Sequence, residues 1–138
     1  MPLQYWVDED RKLVVAKAAG VMSDEDVFAY QHDAWSRREL AGYTELVDMS
    51  EVERIDLPSV DRIRELAQVA ASLDPAGGGS SKLAIVATRD FAFGLARMYE
   101  TYRELQAGSS KPVGVFRTLQ EAMSFLGLEG EIRPPNAT

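Results

Sequence analysis

Apolar and polar residues along the chain repeat with two different periods, and the switches between them mark its elements. Leu3 to Val7 and Leu13 to Ala19 are rich in strand formers, and the acidic turn Asp8 to Arg11 between them predicts an antiparallel hairpin. Gly20 is expected to close the second strand. Ser23 stands three residues before Asp26, the spacing at which each side chain bonds the other's free backbone N–H. A helix is therefore expected from Asp24 to Arg38. On it Val27, Phe28, Gln31, Ala34 and Trp35 recur at helical spacing and face inward, leaving Glu25, Asp33 and Arg37 to water.

Tyr43 to Met49 reads as a short strand, and Pro58 opens a helix with Ile63, Leu66, Ala67, Ala70 and Leu73 on one face. The stretch Asp74 to Ser81, "DPAGGGSS", predicts a mobile connector. Lys82 to Thr88 is continuously apolar, as expected of a central parallel strand covered on both faces. Asp90 is expected to cap a third helix carrying Phe91, Leu95, Met98, Tyr102 and Leu105 on one stripe, with Gly94 at its middle. After a second flexible loop, "AGSSKP", Val113 to Phe116 reads as a strand. Thr118 with Glu121 then starts a last helix that Gly127 ends.

The order β-β-α-β-α-β-α-β-α implies right-handed crossovers. The expected α/β fold is a single layer of five mostly parallel strands with an antiparallel N-terminal hairpin and four helices. One domain is expected over residues 1–127, with 128–138 as a loosely held tail.

At 138 residues, 46% hydrophobic and 27% charged, the chain has the balance of an ordinary globular domain. Its net charge of -7 and scattered cations argue against nucleic acid, which is held by clustered Lys and Arg. The absence of cysteine excludes disulfides, thiolate chemistry and Cys-ligated zinc, and fits the cytoplasm. No apolar stretch approaches a membrane span, and "MPLQYWVDEDRK" does not resemble a signal peptide. The sequence leaves the oligomeric state open, a homodimer included.

The element order, together with "LVDMSEVERIDLPSV", "RDFAFGLARMYE" and "VFRTLQEAMSFLGL", resembles the SpoIIAA-like branch of the STAS and SEC14-type (CRAL-TRIO-like) domains. The resemblance spans nearly the whole chain and implies a regulatory, non-enzymatic module that binds a protein partner. Anti-sigma-factor antagonists of the STAS family carry a phosphorylatable serine at a helix start, in a motif of the type D-S-S-G. Here the matching residues are Asp56, Leu57, Pro58 and Ser59, and proline stands where the acceptor serine would be. A phospho-switch would need Ser59 or Ser50 instead. The SEC14-type side of the resemblance implies a second reading, a carrier of a small apolar or lipid-like ligand.

Candidate chemistry is sparse. His32 is the sole histidine, and no G-x-S-x-G elbow offers it a serine, so it reads as a helical surface residue. The acidic clusters Asp8 to Asp10 and Asp24 to Asp26 lack the ligand spacing of a Ca²⁺ loop and read as a turn and a helix start. "GGGSSK" follows a helix and enters a strand, the reverse of a phosphate loop. No metal, cofactor or catalytic residue is implied. Ligands of open α/β sheets gather beyond the carboxyl ends of parallel strands, which places Asp48, Ser50, Thr88, Arg89, Arg117 and Thr118 on one rim, with Ser59 nearby as a partner contact. Arg89 and Arg117 are candidates for an anionic ligand or partner, or for ion pairs with Asp48, Asp56 or Asp90. Phe91, Leu95, Met98 and Tyr99 are the candidate lining of an apolar pocket under the third helix, which Gly94 would let shift.

Overall fold

The computed structural model describes residues 3–74, 81–106, 111–130 and 132. Residues 75–80 of the expected connector Asp74 to Ser81, residues 107–110 of the second expected loop and most of the C-terminal tail lie outside these residues. Five strands, β1 (Leu3–Asp8), β2 (Leu13–Ser23), β3 (Thr44–Asp56), β4 (Leu83–Val86) and β5 (Val113–Phe116), form one sheet in chain order. β1 pairs with β2 antiparallel, and every later pairing is parallel. The helices are α1 (Asp24–Trp35), α2 (Asp61–Ser72), α3 (Asp90–Glu104) and α4 (Leu119–Leu126). The predicted class and element order therefore hold, with a short 3₁₀ turn at Arg38–Leu40 in addition.

Side-chain alternation along the strands separates two cores. Val14, Ala16, Ala18, Leu83, Ile85, Val113 and Val115 face one way, together with Tyr30 and Ala34 of α1 and Ala92 and Ala96 of α3. Leu13, Val15, Leu46, Ala84 and Val86 face the other way, against Ala122 and Met123 of α4. Both faces of β4 are thus covered, which explains its unbroken apolar run. Leu128 and Ile132, from the segment expected to be a loose tail, pack against the α4 core.

Two strands run further than expected. Gly20 does not close β2. It adopts φ +69 within a bulge, and pairing with β3 continues past it to Ser23↔Asp56. β3 likewise passes Met49 and ends at Asp56, because its later side chains still have β2 as a backbone partner. β4 pairs with β3 only from Glu45 to Asp48. Beyond Asp48 the β2–β3 pair projects as a two-stranded ribbon, and among the described residues Glu51–Asp56 has no backbone partner on its far side.

Local helix signals fared unevenly. The Ser23–Asp26 capping box has both of its bonds, at 2.9 and 3.2 Å. Thr118 caps α4, and Gly127 ends it in the left-handed conformation at φ +70. Asp90 is not a cap. It is the first residue of α3, after an Arg89 whose side chain makes no capping bond, and its carboxylate accepts from Arg117 instead. The buried stripe of α3 is Ala92, Ala96 and Arg103, one position round from the predicted one, which leaves Phe91 and Leu105 exposed. Small residues let the helix approach the sheet closely, and that contact overrides the larger apolar stripe. On α1 Gln31 and Ala34 are buried as expected, but Tyr30 is buried as well and Phe28 is turned outward.

Leu46 is fully buried at the middle of the sheet on the α4 side. Leu46→Ala is expected to cost about 2–5 kcal/mol in urea unfolding, against about 1 kcal/mol for loss of the cap in Ser23→Ala.

Candidate functional site

α2 leans on α1 and α3 and makes little contact with the sheet. Its inner residues Ile63, Leu66 and Ala70 belong to neither packed core and face a cavity of about 120 Å³. Met49, Ile55 and Leu57 close the cavity from the β3 side, and Leu95, Ala96 and Tyr99 from α3. Of the four predicted lining residues, Leu95 and Tyr99 are present. Phe91 and Met98 are not, because the rotation of α3 carries them away. Gly94 lies on the exposed face of an unbroken helix, so the helix raised off the sheet is α2 and α3 stays seated.

The far end of the cavity is polar. Arg103 donates through Nη2 to both carboxylate oxygens of Asp74 at 2.9 Å, and the two side chains are 2% and 5% exposed. Its Nη1 donates to the Tyr99 hydroxyl at 3.2 Å, and Nε2 of Gln31 donates to the same oxygen at 3.2 Å. Beside them Glu45 accepts from the Tyr30 hydroxyl at 2.5 Å and from Trp35 Nε1 at 3.1 Å. Lys111 Nζ lies 3.7 Å from Glu45 and 3.7 Å from the centre of the Trp35 ring. Burial pushes the Lys111 ammonium below its ordinary value, against the opposing pull of Glu45 and Asp74. Burial, reinforced by the Glu45 charge, pushes the Tyr30 phenol well above 10.0. Among the described residues the two carboxylates Glu45 and Asp74 face the two cations Arg103 and Lys111.

Tyr99 was among the expected lining residues, but the charged groups Glu45, Asp74, Arg103 and Lys111 were not singled out by sequence reasoning, because a charged residue in an amphipathic segment is by default a surface residue. One signal was present: Ala92, Ala96, Tyr99 and Arg103 recur at four, three and four, which would have placed Arg103 on the seated stripe.

The expected rim forms in part. Arg117 donates to Thr88 O at 3.1 Å and Asp90 Oδ1 at 2.7 Å, and its guanidinium covers Phe93 at 4.0 Å. Thr88 reaches Ser50 O at 3.4 Å, and Ser50 N–H donates to Asp48 at 2.9 Å. Arg117 is thus engaged within the rim, while Arg89 is exposed and has no side-chain hydrogen bond or ion pair among the described residues. No hydrogen bond links the Ser59 side chain to this rim among the described residues, and the strand from Ser50 to Asp56, roughly 20 Å long at about 3.3 Å per residue, lies between them along the chain. Ser59 is exposed just before α2, where Pro58 and Val60 are also exposed. His32 is an exposed residue on the helix surface, as expected, with its ring tilted against that of Phe28 at 4.3 Å between centres. Among the described residues no cluster could hold a metal, and no helix is long and apolar enough to cross a membrane.

No protein-family model matches the chain, and no curated protein matches it. Solved structures do match. An uncharacterised DUF3478-family protein with a SpoIIAA-like fold from Shewanella loihica PV-4 aligns at TM-score 0.57 and 13% identity, over 90% of this chain and 93% of its own. A Thermotoga maritima protein described as a candidate anti-sigma factor antagonist aligns at TM-score 0.56 and 16% identity, over 91% of this chain and 94% of its own. The fold is therefore SpoIIAA-like. Neither neighbour is described as SEC14-like, so that half of the expected grouping is without support.

Within the polar cluster, Tyr30 makes stability depend on pH in a defined direction. The unfolded Tyr30 phenol ionises near 10.0 while the folded one holds its proton. Its contribution to stability is therefore constant below about pH 10 and is lost above it, at up to about 1.4 kcal/mol per pH unit. Tyr30→Phe is expected to cost about 1 kcal/mol at neutral pH and to flatten the alkaline decline, as measured by urea midpoints at about pH 7, 9 and 11.

Proposed function

We propose that the chain is a non-enzymatic regulatory module that binds a protein partner through the β2–β3 ribbon and the segment leading into α2. The observation that carries this reading is the open edge of Glu51–Asp56, a row of backbone groups able to accept an added strand. Ser50 to Val60 carries three acidic side chains against one basic, so a segment with basic residues suits it. Next to it are exposed apolar residues: Val60 at the start of α2, and Phe28, whose ring lies under Arg62 of the first turn of α2. The candidate anti-sigma factor antagonist among the structural neighbours fits a role in protein regulation. With Pro58 at the acceptor position, the contact does not depend on the usual phosphoserine.

Cross-links from a partner captured in the native host are expected to map to residues 50–60. The double variant Glu53→Lys, Val60→Asp alters exposed side chains, and its stability should stay within about 0.5 kcal/mol of the parent. Loss of tenfold or more in partner affinity in that variant is the expected result, and unchanged affinity would refute the surface.

A second reading, binding of a small apolar molecule, is favoured by the cavity beneath α2. Its volume is close to that of the roughly 150 Å³ engineered cavity that takes up benzene. Ala70→Leu projects into this space and is expected to raise stability by about 1 kcal/mol while abolishing uptake of small hydrocarbons, followed by amide NMR shifts.

A further inference from the structure

The polar end of the cavity holds two buried atoms whose bonding is incomplete. Oε1 of Gln31 and Nε of Arg103 have no hydrogen-bond partner among the described residues, although Gln31 is 3% exposed and Arg103 is 1% exposed. Both residues line the cavity, and both donate to the Tyr99 hydroxyl, so the two side chains meet at one residue of its polar end. The other bonding groups are committed: Gln31 Nε2 also donates to Leu66 O at 3.2 Å, and the Arg103 Nη groups serve Asp74 and Tyr99. Tyr99 accepts in both of its bonds, so its own hydroxyl proton is also without an acceptor among the described residues. What remains is one acceptor and two donors, and a guest hydroxyl can meet all three. Leaving each unpaired costs on the order of 1–3 kcal/mol, a cost that a suitable guest would remove.

We infer that the cavity is a binding site for a compact apolar molecule bearing one hydroxyl group. This rests on the small-molecule reading above and adds the chemistry of the guest. A hydroxyl donates one hydrogen bond and accepts others, so it answers Gln31 Oε1 and Arg103 Nε together. A carboxylate accepts only and leaves Gln31 Oε1 unanswered. It would also bring an uncompensated charge to a cluster in which Glu45 and Asp74 already balance Arg103 and Lys111. A primary ammonium donates only, and leaves the Arg103 donor without a partner. A volume of about 120 Å³ suits a single ring or a branched chain of similar bulk, and Ile63, Leu66, Ile55 and Leu95 supply its apolar contacts.

The test uses two probes of nearly equal shape, p-cresol and toluene, titrated into the intact chain and followed by amide NMR shifts. Saturable shifts at Gln31, Leu66, Ala96 and Tyr99, with p-cresol bound about tenfold more tightly than toluene, are the expected result. In Gln31→Met, which keeps the side-chain volume and removes the acceptor, that preference should fall to about twofold or less. If the variant does not fold, the comparison in the parent protein decides. Equal affinity for both probes would overturn the hydroxyl assignment and leave an apolar pocket standing. No saturable shift with either probe would overturn the pocket as well.

Discussion

The molecule is organised by a conflict between strand spacing and helix width. Its strands are laid down in chain order, and right-handed crossovers between parallel neighbours carry α1, α2 and α3 to the same face. Five strands about 4.8 Å apart span roughly 19 Å, whereas each packed helix needs about 10 Å. Two helices can seat directly on such a sheet. α1 and α3 do so, through Tyr30, Ala34, Ala92 and Ala96, and α2 rides on its neighbours. The cavity is the space left beneath it.

That arrangement gives the buried charges a structural meaning. Asp74 follows α2, Arg103 belongs to α3, and their two-pronged contact fastens the end of the raised helix to a seated one. Glu45 on β3, with Tyr30 and Trp35 of α1 and with Lys111, does the same for α1 and the sheet. Breaking either set would strand a charge away from water, so the two sets fix the helices over a space that apolar packing does not fill.

The ribbon and the cavity are not independent. Ile55 and Leu57 belong to the stretch from Ser50 to Val60 and also line the cavity. The outer edge of the ribbon is open because β4 stops opposite Asp48 while β2 and β3 continue. The same overrun that exposes strand edge on the outside therefore supplies a wall of the pocket on the inside.

The sequence alone determined the class of the fold. The hairpin, the alternation of strands and helices, the fully covered β4, the Ser23 cap and the Gly127 stop are local patterns that each follow from nearby residues. Tertiary structure decided the rest. The lengths of β2 and β3 depend on each other as partners, and the rotation of α3 depends on how closely Ala92 and Ala96 approach the sheet. The site depends on contacts as distant in sequence as Gln31 with Tyr99 and Asp74 with Arg103. A charged side chain reads as solvent-facing until the residue that neutralises it is brought alongside, and only the folded chain does that.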